Sequence, residues 1–262
     1  MAFTQPIQIL LPEFQAFLVL ISRIGGLLAA IPVLSGQAVP VKVKIALILT
    51  LGLLLAPMVH LPNVPYDPLA LAAGLVSELT IGVAIGLAVR LFFSALEVAG
   101  ELIGIQMGFG VVQLFDPATA HQTPIIGRFF TLAASLVFLS MNGHMFLVAT
   151  ILSSYEAIPA FGASLPGGAG DDVLRLSQNM FVLGLKLAAP VLVVIFVINI
   201  LLAMLGRAVS QINVFVLSFP LTIAGGLAVL ALSMPFAVGL LAREMEQLQL
   251  TIQGLLKALG HG

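Results

Sequence analysis

The chain has 262 residues, of which 60% are hydrophobic and only 8% charged. Its mean hydropathy is +1.19 and its net charge −1. Soluble domains carry about a quarter charged residues, so this composition excludes an ordinary soluble domain and points to an integral membrane protein, or to a subunit buried like one in an oligomer. Nothing in the charge balance suggests nucleic acid. The absence of cysteine excludes disulfides, zinc thiolates and cysteine nucleophiles.

Six apolar segments follow one another: Phe14–Leu34, Val43–Leu61, Leu69–Ile105, Ile125–Leu152, Asn179–Leu205 and Ile212–Leu241. Each is expected to be helical, because an open strand cannot satisfy its backbone in lipid. The first basic residue is Arg23, so the basic leader of a signal peptide is missing and a mature N-terminus is expected. Before the third segment, Asp67-Pro68 is a good N-cap and N1 pair. A helix from there to about Ile103 would run roughly 50 Å, against a hydrocarbon core of ~30 Å. It must kink, or leave the bilayer and lie against protein.

That segment also carries Arg90, Glu97 and Glu101, spaced i, i+7 and i+11 and so on one helix face. They could form a proton relay or a substrate path. Polar contacts between helices or between subunits are favoured, because a relay more often keeps carboxylates away from arginine. Arg23, Glu78, Arg128 and Lys186 likewise sit in or beside apolar stretches. Gly82 and Gly86 form one small-xxx-small pair, and Gly100, Gly104 and Gly108 form two more; such faces let backbones approach closely.

After this helix comes "GELIGIQMGFGVVQLFDPATAHQTP", Gly100–Pro124, where a polar loop would be expected. It is glycine-rich and nearly uncharged. By itself it reads as a packing face of a helix. Asn142-Gly143 reads as a turn within the fourth segment. Ser153–Gln178, with "PGGAGDD", reads as a solvent loop. Pro190, Pro220 and Pro235 should kink the last two segments. Asn199, Gln211 and Asn213 are polar residues of the kind that bridge packed helices. The tail "AREMEQLQLTIQGLLKALG" reads as an amphipathic helix that faces the surface or a partner.

The known chemical signatures are missing: no GxxxxGK[ST], HExxH or GxSxG is present. The four histidines, His60, His121, His144 and His261, lack metal-ligand spacing. No enzyme activity, cofactor or metal is expected. If all six segments span, Lys42, Lys44 and Arg207 fall on one side and Arg175, Arg243 and Lys257 on the other, so charge gives no orientation.

Four ordered blocks carry a resemblance. They are "RIGGLLAAIPVLSGQAVPVKVKIALILTLGLLLAP", with its P-x-L-S break and VP-x-x-V-K start of the second helix; "AGELIGIQMGFGVVQLFDP"; "FLSMNGHMFLV"; and "QINVFVLSFPLTIAGGL". Together they resemble the FliR/SctT family of type III export-gate proteins, and "GIQMGFG" fits its flagellar branch. The resemblance implies an all-α membrane-type protein of kinked helical hairpins in a helical assembly with FliP-like and FliQ-like subunits, one copy of this chain per assembly. It implies a FliP-like part over residues 1–178 and a FliQ-like hairpin with the amphipathic tail over 179–262. It further implies FlhB-like and FlhA-like partners, unfolded proteins as cargo, and a place in the flagellar basal body at the bacterial inner membrane, much of it above the membrane plane.

Most specifically, the resemblance implies that Gln106, Met107, Gly108, Phe109, Gly110, Val111, Val112, Gln113, Leu114 and Phe115 form a plug in the pore. Gly104, Gly108 and Gly110 would hinge it, and Asp116 and Pro117 would end it. A secondary transporter built around Arg90, Glu97 and Glu101 is the alternative, although no internal repeat and no second glycine-broken segment in a matching position supports it. A passive assembly scaffold is a third reading.

Overall fold

The computed structural model describes residues 5–31, 39–59, 67–109, 125–162, 169–209, 211 and 213–260. Seven α-helices are found among them: α1 Gln5–Ala30, α2 Val41–Leu55, α3 Pro68–Met107, α4 Ile125–Ser140, α5 Gly143–Ala157, α6 Ala169–Ala208 and α7 Val214–Gly260. A 3-10 turn, Ala56–Met58, follows α2. No strand occurs among the described residues. The fold class is therefore all-α, as the composition requires.

Among the described residues, four helices are long and apolar enough to cross a membrane, or five if α4 and α5 together count as one bent span. The described apolar part of α1, Phe14–Ala30, is shorter. Large apolar side chains face outward on several helices, such as Leu53 of α2 (72% exposed) and Leu232 of α7 (81% exposed). In water such surfaces would be costly; they suit lipid or a partner chain.

The helix boundaries follow local chemistry. The Asp67 carboxylate accepts the Ala70 N–H at 3.2 Å, the N-cap expected ahead of Pro68. The side-chain oxygen of Asn213 accepts the Val216 N–H at 3.3 Å, so Asn213 caps α7 instead of bridging helices. Asn199 and Gln211 are exposed. Asn142 takes a left-handed conformation (φ 57°, ψ 32°), and the fourth segment breaks there by 67° between α4 and α5. Asparagine tolerates that conformation better than most residues.

Two expectations are corrected. The stretch Ser153–Gln178 is mostly helix: α5 runs on to Ala157 and α6 begins at Ala169, inside "PGGAGDD". The C-terminal tail is not separate, because α7 is one helix of 47 residues that runs through Pro220 and Pro235. It is amphipathic as expected, but its apolar stripe is buried at Met245, Leu248, Ile252 and Leu256. Similarly, α6 runs through Pro190, and α3 is one helix of 40 residues, about 60 Å at ~1.5 Å per residue.

The chain forms two compact units, each discontinuous in sequence. One comprises residues 1–91, 142–176 and 246–262. Its core includes Val19, Leu20 and Ile24 of α1, Ile81 and Ile85 of α3, and Ile151 of α5. Gly82 and Gly86 are the contact expected of them. A Cβ on Gly82 would run into the backbone of Arg23 and Leu27, and one on Gly26 into that of Leu79 and Val83. Backbones of α1 and α3 meet there because no side chain intervenes.

The other unit comprises residues 92–141 and 177–245. Phe93, Leu96, Ala99 and Ile103 of α3, Phe130 and Ala134 of α4, and Leu187 and Val191 of α6 form its core. Phe93 meets Phe138 edge-on at 6.1 Å between ring centres. Gly100 lies against the backbone of Gly127, and Gly184 against the Ala95 carbonyl.

Candidate functional site

The glycine-rich stretch begins where α3 ends, and that end is well defined. Gly108 has φ +92°, a conformation that L side chains rarely adopt. The Phe109 N–H donates to the Gly104 carbonyl and the Gly108 N–H to the Ile105 carbonyl, both at 3.0 Å. This pair of reversed bonds is a Schellman cap, with Gly108 at the left-handed position. The turn is thus at Gly108. Gly104 sits inside the helix and is buried, with nothing within 4 Å of where a Cβ would stand.

Of the residues expected to form a plug, Gln106 is exposed, Phe109 is half-buried and Met107 is wholly buried. Met107 therefore serves as an anchor for the root of the stretch. Gly110, Val111, Val112, Gln113, Leu114, Phe115, Asp116 and Pro117 lie outside the described residues.

The anchor is built on α7. A Cβ on Gly226 would stand 2.9 Å from Met107 Cγ and 3.0 Å from its Sδ, so the thioether occupies the space a side chain would fill. Gly108 lies close to the Phe219 ring, 2.9 Å from its nearest atoms to a notional Cβ. The Thr222 hydroxyl is within 3.2 Å of the Met107 carbonyl. Phe219, Thr222 and Gly226 are spaced i, i+3 and i+7, one stripe of α7.

Arg90, Glu97 and Glu101 are all exposed, and no ion pair joins them to another described residue. A charged face in an otherwise apolar helix is costly unless it meets water or complementary charge. Lys186 pairs with Glu244 at 3.5 Å, near the surface.

A second constellation centres on Arg23 and Glu78, both fully buried. Arg23 Nε donates to Glu78 Oε2 at 2.7 Å, Nη1 to Ser154 Oγ at 2.9 Å and Nη2 to the Ile158 carbonyl at 3.1 Å. The guanidinium lies 3.7 Å over the centre of the Tyr155 ring. The other Glu78 oxygen accepts the Phe161 N–H at 3.1 Å. Each charge thus has its partners, which is the condition for burying it. Phe161 has φ +63°, unusual for a bulky residue. Its ring occupies the space beside Gly74, which has no side chain to obstruct it.

Arg23 and Glu78 stand out in the sequence as charges in apolar stretches, but nothing there pairs them or joins them to the stretch that supplies Ser154, Ile158 and Phe161. A signal was present. Glu78, Gly82 and Gly86 recur every four residues, and Arg23 precedes Gly26 by three, so both charges lie on the glycine faces that pack.

No cluster of His, Asp or Glu able to hold a metal occurs among the described residues. His144 is exposed, and the other three histidines lie outside them. The two sites belong to an all-helical membrane-type protein. A model of the family described as "Bacterial export proteins, family 1" matches residues 14–248. Flagellar biosynthetic protein FliR of Escherichia coli strain K12 is 32% identical over 213 residues, covering 81% of this chain and 82% of that protein. The FliR of Pectobacterium carotovorum is 34% identical with the same coverage. That of Bacillus subtilis strain 168 is 29% identical over 254 residues, covering 94% and 96%. The chain belongs to this family of bacterial export proteins, the FliR family.

Proposed function

We propose that this chain is a non-enzymatic core subunit of the flagellar type III export gate, and that Gln106–Phe115 plug its pore. Family membership supports the coarser part: a flagellar protein-export component of the bacterial inner membrane. The observation that carries the finer part is the Schellman turn at Gly108. It ends a 40-residue helix on a buried anchor and turns the chain where the sequence becomes the uncharged "FGVVQLF".

The physics suits a gate. An apolar constriction repels water and ions without holding any passing sequence tightly. Phe109, Val111, Val112 and Phe115 supply apolar bulk, Gly108 and Gly110 supply conformational freedom, and Asp116-Pro117 ends the stretch. In this reading unfolded proteins pass when the plug moves aside.

The chain joins FliP-like and FliQ-like subunits as a single copy, in the basal body. Residues 1–178 act as the FliP-like part and 179–262 as the FliQ-like part, with FlhB-like and FlhA-like proteins alongside. The exposed Arg90, Glu97 and Glu101 meet complementary charges of those subunits. Outward apolar surfaces on α2, α6 and α7 support burial in lipid or against neighbours.

One experiment tests both parts: co-expression of variant chains with their partner subunits, followed by purification and a motility assay. Gly108→Asp forces a side chain into a left-handed turn beside Phe219; complex recovery is expected to persist while motility falls. Arg90→Glu is expected to lower recovery of the complex. Normal motility in the first variant and normal recovery in the second would overturn the respective assignments.

A further inference from the structure

We propose that Thr222, with Gly226 and Phe219, forms a latch on α7 that positions the root of the plug and so holds the pore shut. The inference rests on the plug reading above. It assigns a role to residues outside the glycine-rich stretch, on a helix more than a hundred positions later in the chain.

A helix leaves its last carbonyls without intrahelical donors. The Schellman cap satisfies those of Gly104 and Ile105. The Met107 carbonyl lies beyond them, and the Thr222 hydroxyl reaches it at 3.2 Å in a buried position. Three further features converge on the same point. The Met107 side chain is 0% exposed and lies where Gly226 has no side chain. Thr222 is 5% exposed. The Gly108 backbone sits against the Phe219 ring, which is itself fixed edge-on to Phe215 at 5.0 Å. The direction in which the chain leaves α3 is therefore set by α7.

The latch is also releasable. The Thr222 hydroxyl carries one proton and has three carbonyls in reach: Ser218 at 2.9 Å, Met107 at 3.2 Å and Phe219 at 3.3 Å. Two of these belong to its own helix, so the hydroxyl keeps a partner when Met107 departs. No buried donor is stranded by opening. A contact of this kind biases a closed state without making it permanent, and a movement of α7 would loosen the plug root directly.

The test measures ion leak across the inner membrane of cells producing the whole complex, with assembly checked by purification. Thr222→Val removes the donor and keeps the shape; losing one neutral hydrogen bond is expected to raise the leak roughly two- to ten-fold. Thr222→Ser restores the donor and is expected to restore the wild-type level, which a purely steric role of Thr222 would not require. Deletion of 108–114 runs alongside. If the deletion leaks and Thr222→Val does not, the latch is wrong and the plug stands. If the deletion does not leak, the plug reading falls and the latch with it.

Should Thr222→Val fail to assemble, a cysteine pair decides. The chain has no cysteine of its own. Met107→Cys with Gly226→Cys puts two β-carbons within disulfide range, given how closely Met107 Cγ approaches position 226. Crosslinking in the assembled complex, with leak at the wild-type level, supports the latch. Absence of the crosslink, or a leak that rises on oxidation, overturns it.

Discussion

At the scale of single residues, Arg23 shows how a helix protein can keep a charge in its core. Its three donor atoms go to a carboxylate, a hydroxyl and a carbonyl, and its flat face rests on Tyr155. The cluster ties α1 and α3 to the chain just after α5, where Phe161 is held in a conformation that costs about 1–3 kcal/mol for such a residue. Removing one partner strands the other charge. Arg23→Ala or Glu78→Ala should each lower stability by roughly 3–5 kcal/mol. Replacing both with methionine should be milder than either single change. Thermal unfolding in detergent checks this, and a double variant worse than both singles would contradict it. Both charges could be read in the sequence as anomalies. Their pairing could not, because Ser154 and the Ile158 carbonyl belong to a segment that looks like a polar loop and is in fact the end of a helix and its turn.

At the scale of elements, α3 explains what sequence patterning cannot show. Its residues are apolar almost all round, so hydrophobic periodicity does not mark the buried side. The markers that remain are small residues and charges. They locate the contact of Gly82 with α1, the contact of Gly100 with α4, and the exposed face of Arg90, Glu97 and Glu101. They do not distinguish three similar glycines. Gly100 packs, Gly104 faces open space and Gly108 turns, although all share one spacing. The distinction yields a prediction. Gly82→Leu should force α1 and α3 apart and lower the unfolding temperature sharply. Gly104→Ala should be tolerated and should gain about 0.5–1 kcal/mol of helix stability. Thermal unfolding of the two variants checks the contrast; a destabilised Gly104→Ala would show that something from another chain fills that space. The α7 half of the latch was hidden for a related reason. Thr222 and Gly226 look like ordinary members of an apolar helix, and only the approach of Met107 gives them meaning.

At the scale of the whole molecule, composition sufficed for the class, and four sequence blocks sufficed for the family, which the matches over residues 14–248 establish. The two discontinuous units could not be read from the chain, because long helices such as α3 and α7 contribute to both. The functional account then turns on one stretch. Its root is a capped, buried and latched helix end, and its sequence beyond is apolar and uncharged. The decisive measurement is ion leak across the inner membrane of cells producing the complete complex, with and without deletion of residues 108–114. A plug over residues 108–114 predicts a clear increase in leak while the complex still purifies intact. An unchanged leak with intact assembly would contradict it, return Gly100–Phe115 to a packing role, and move the gate to another subunit.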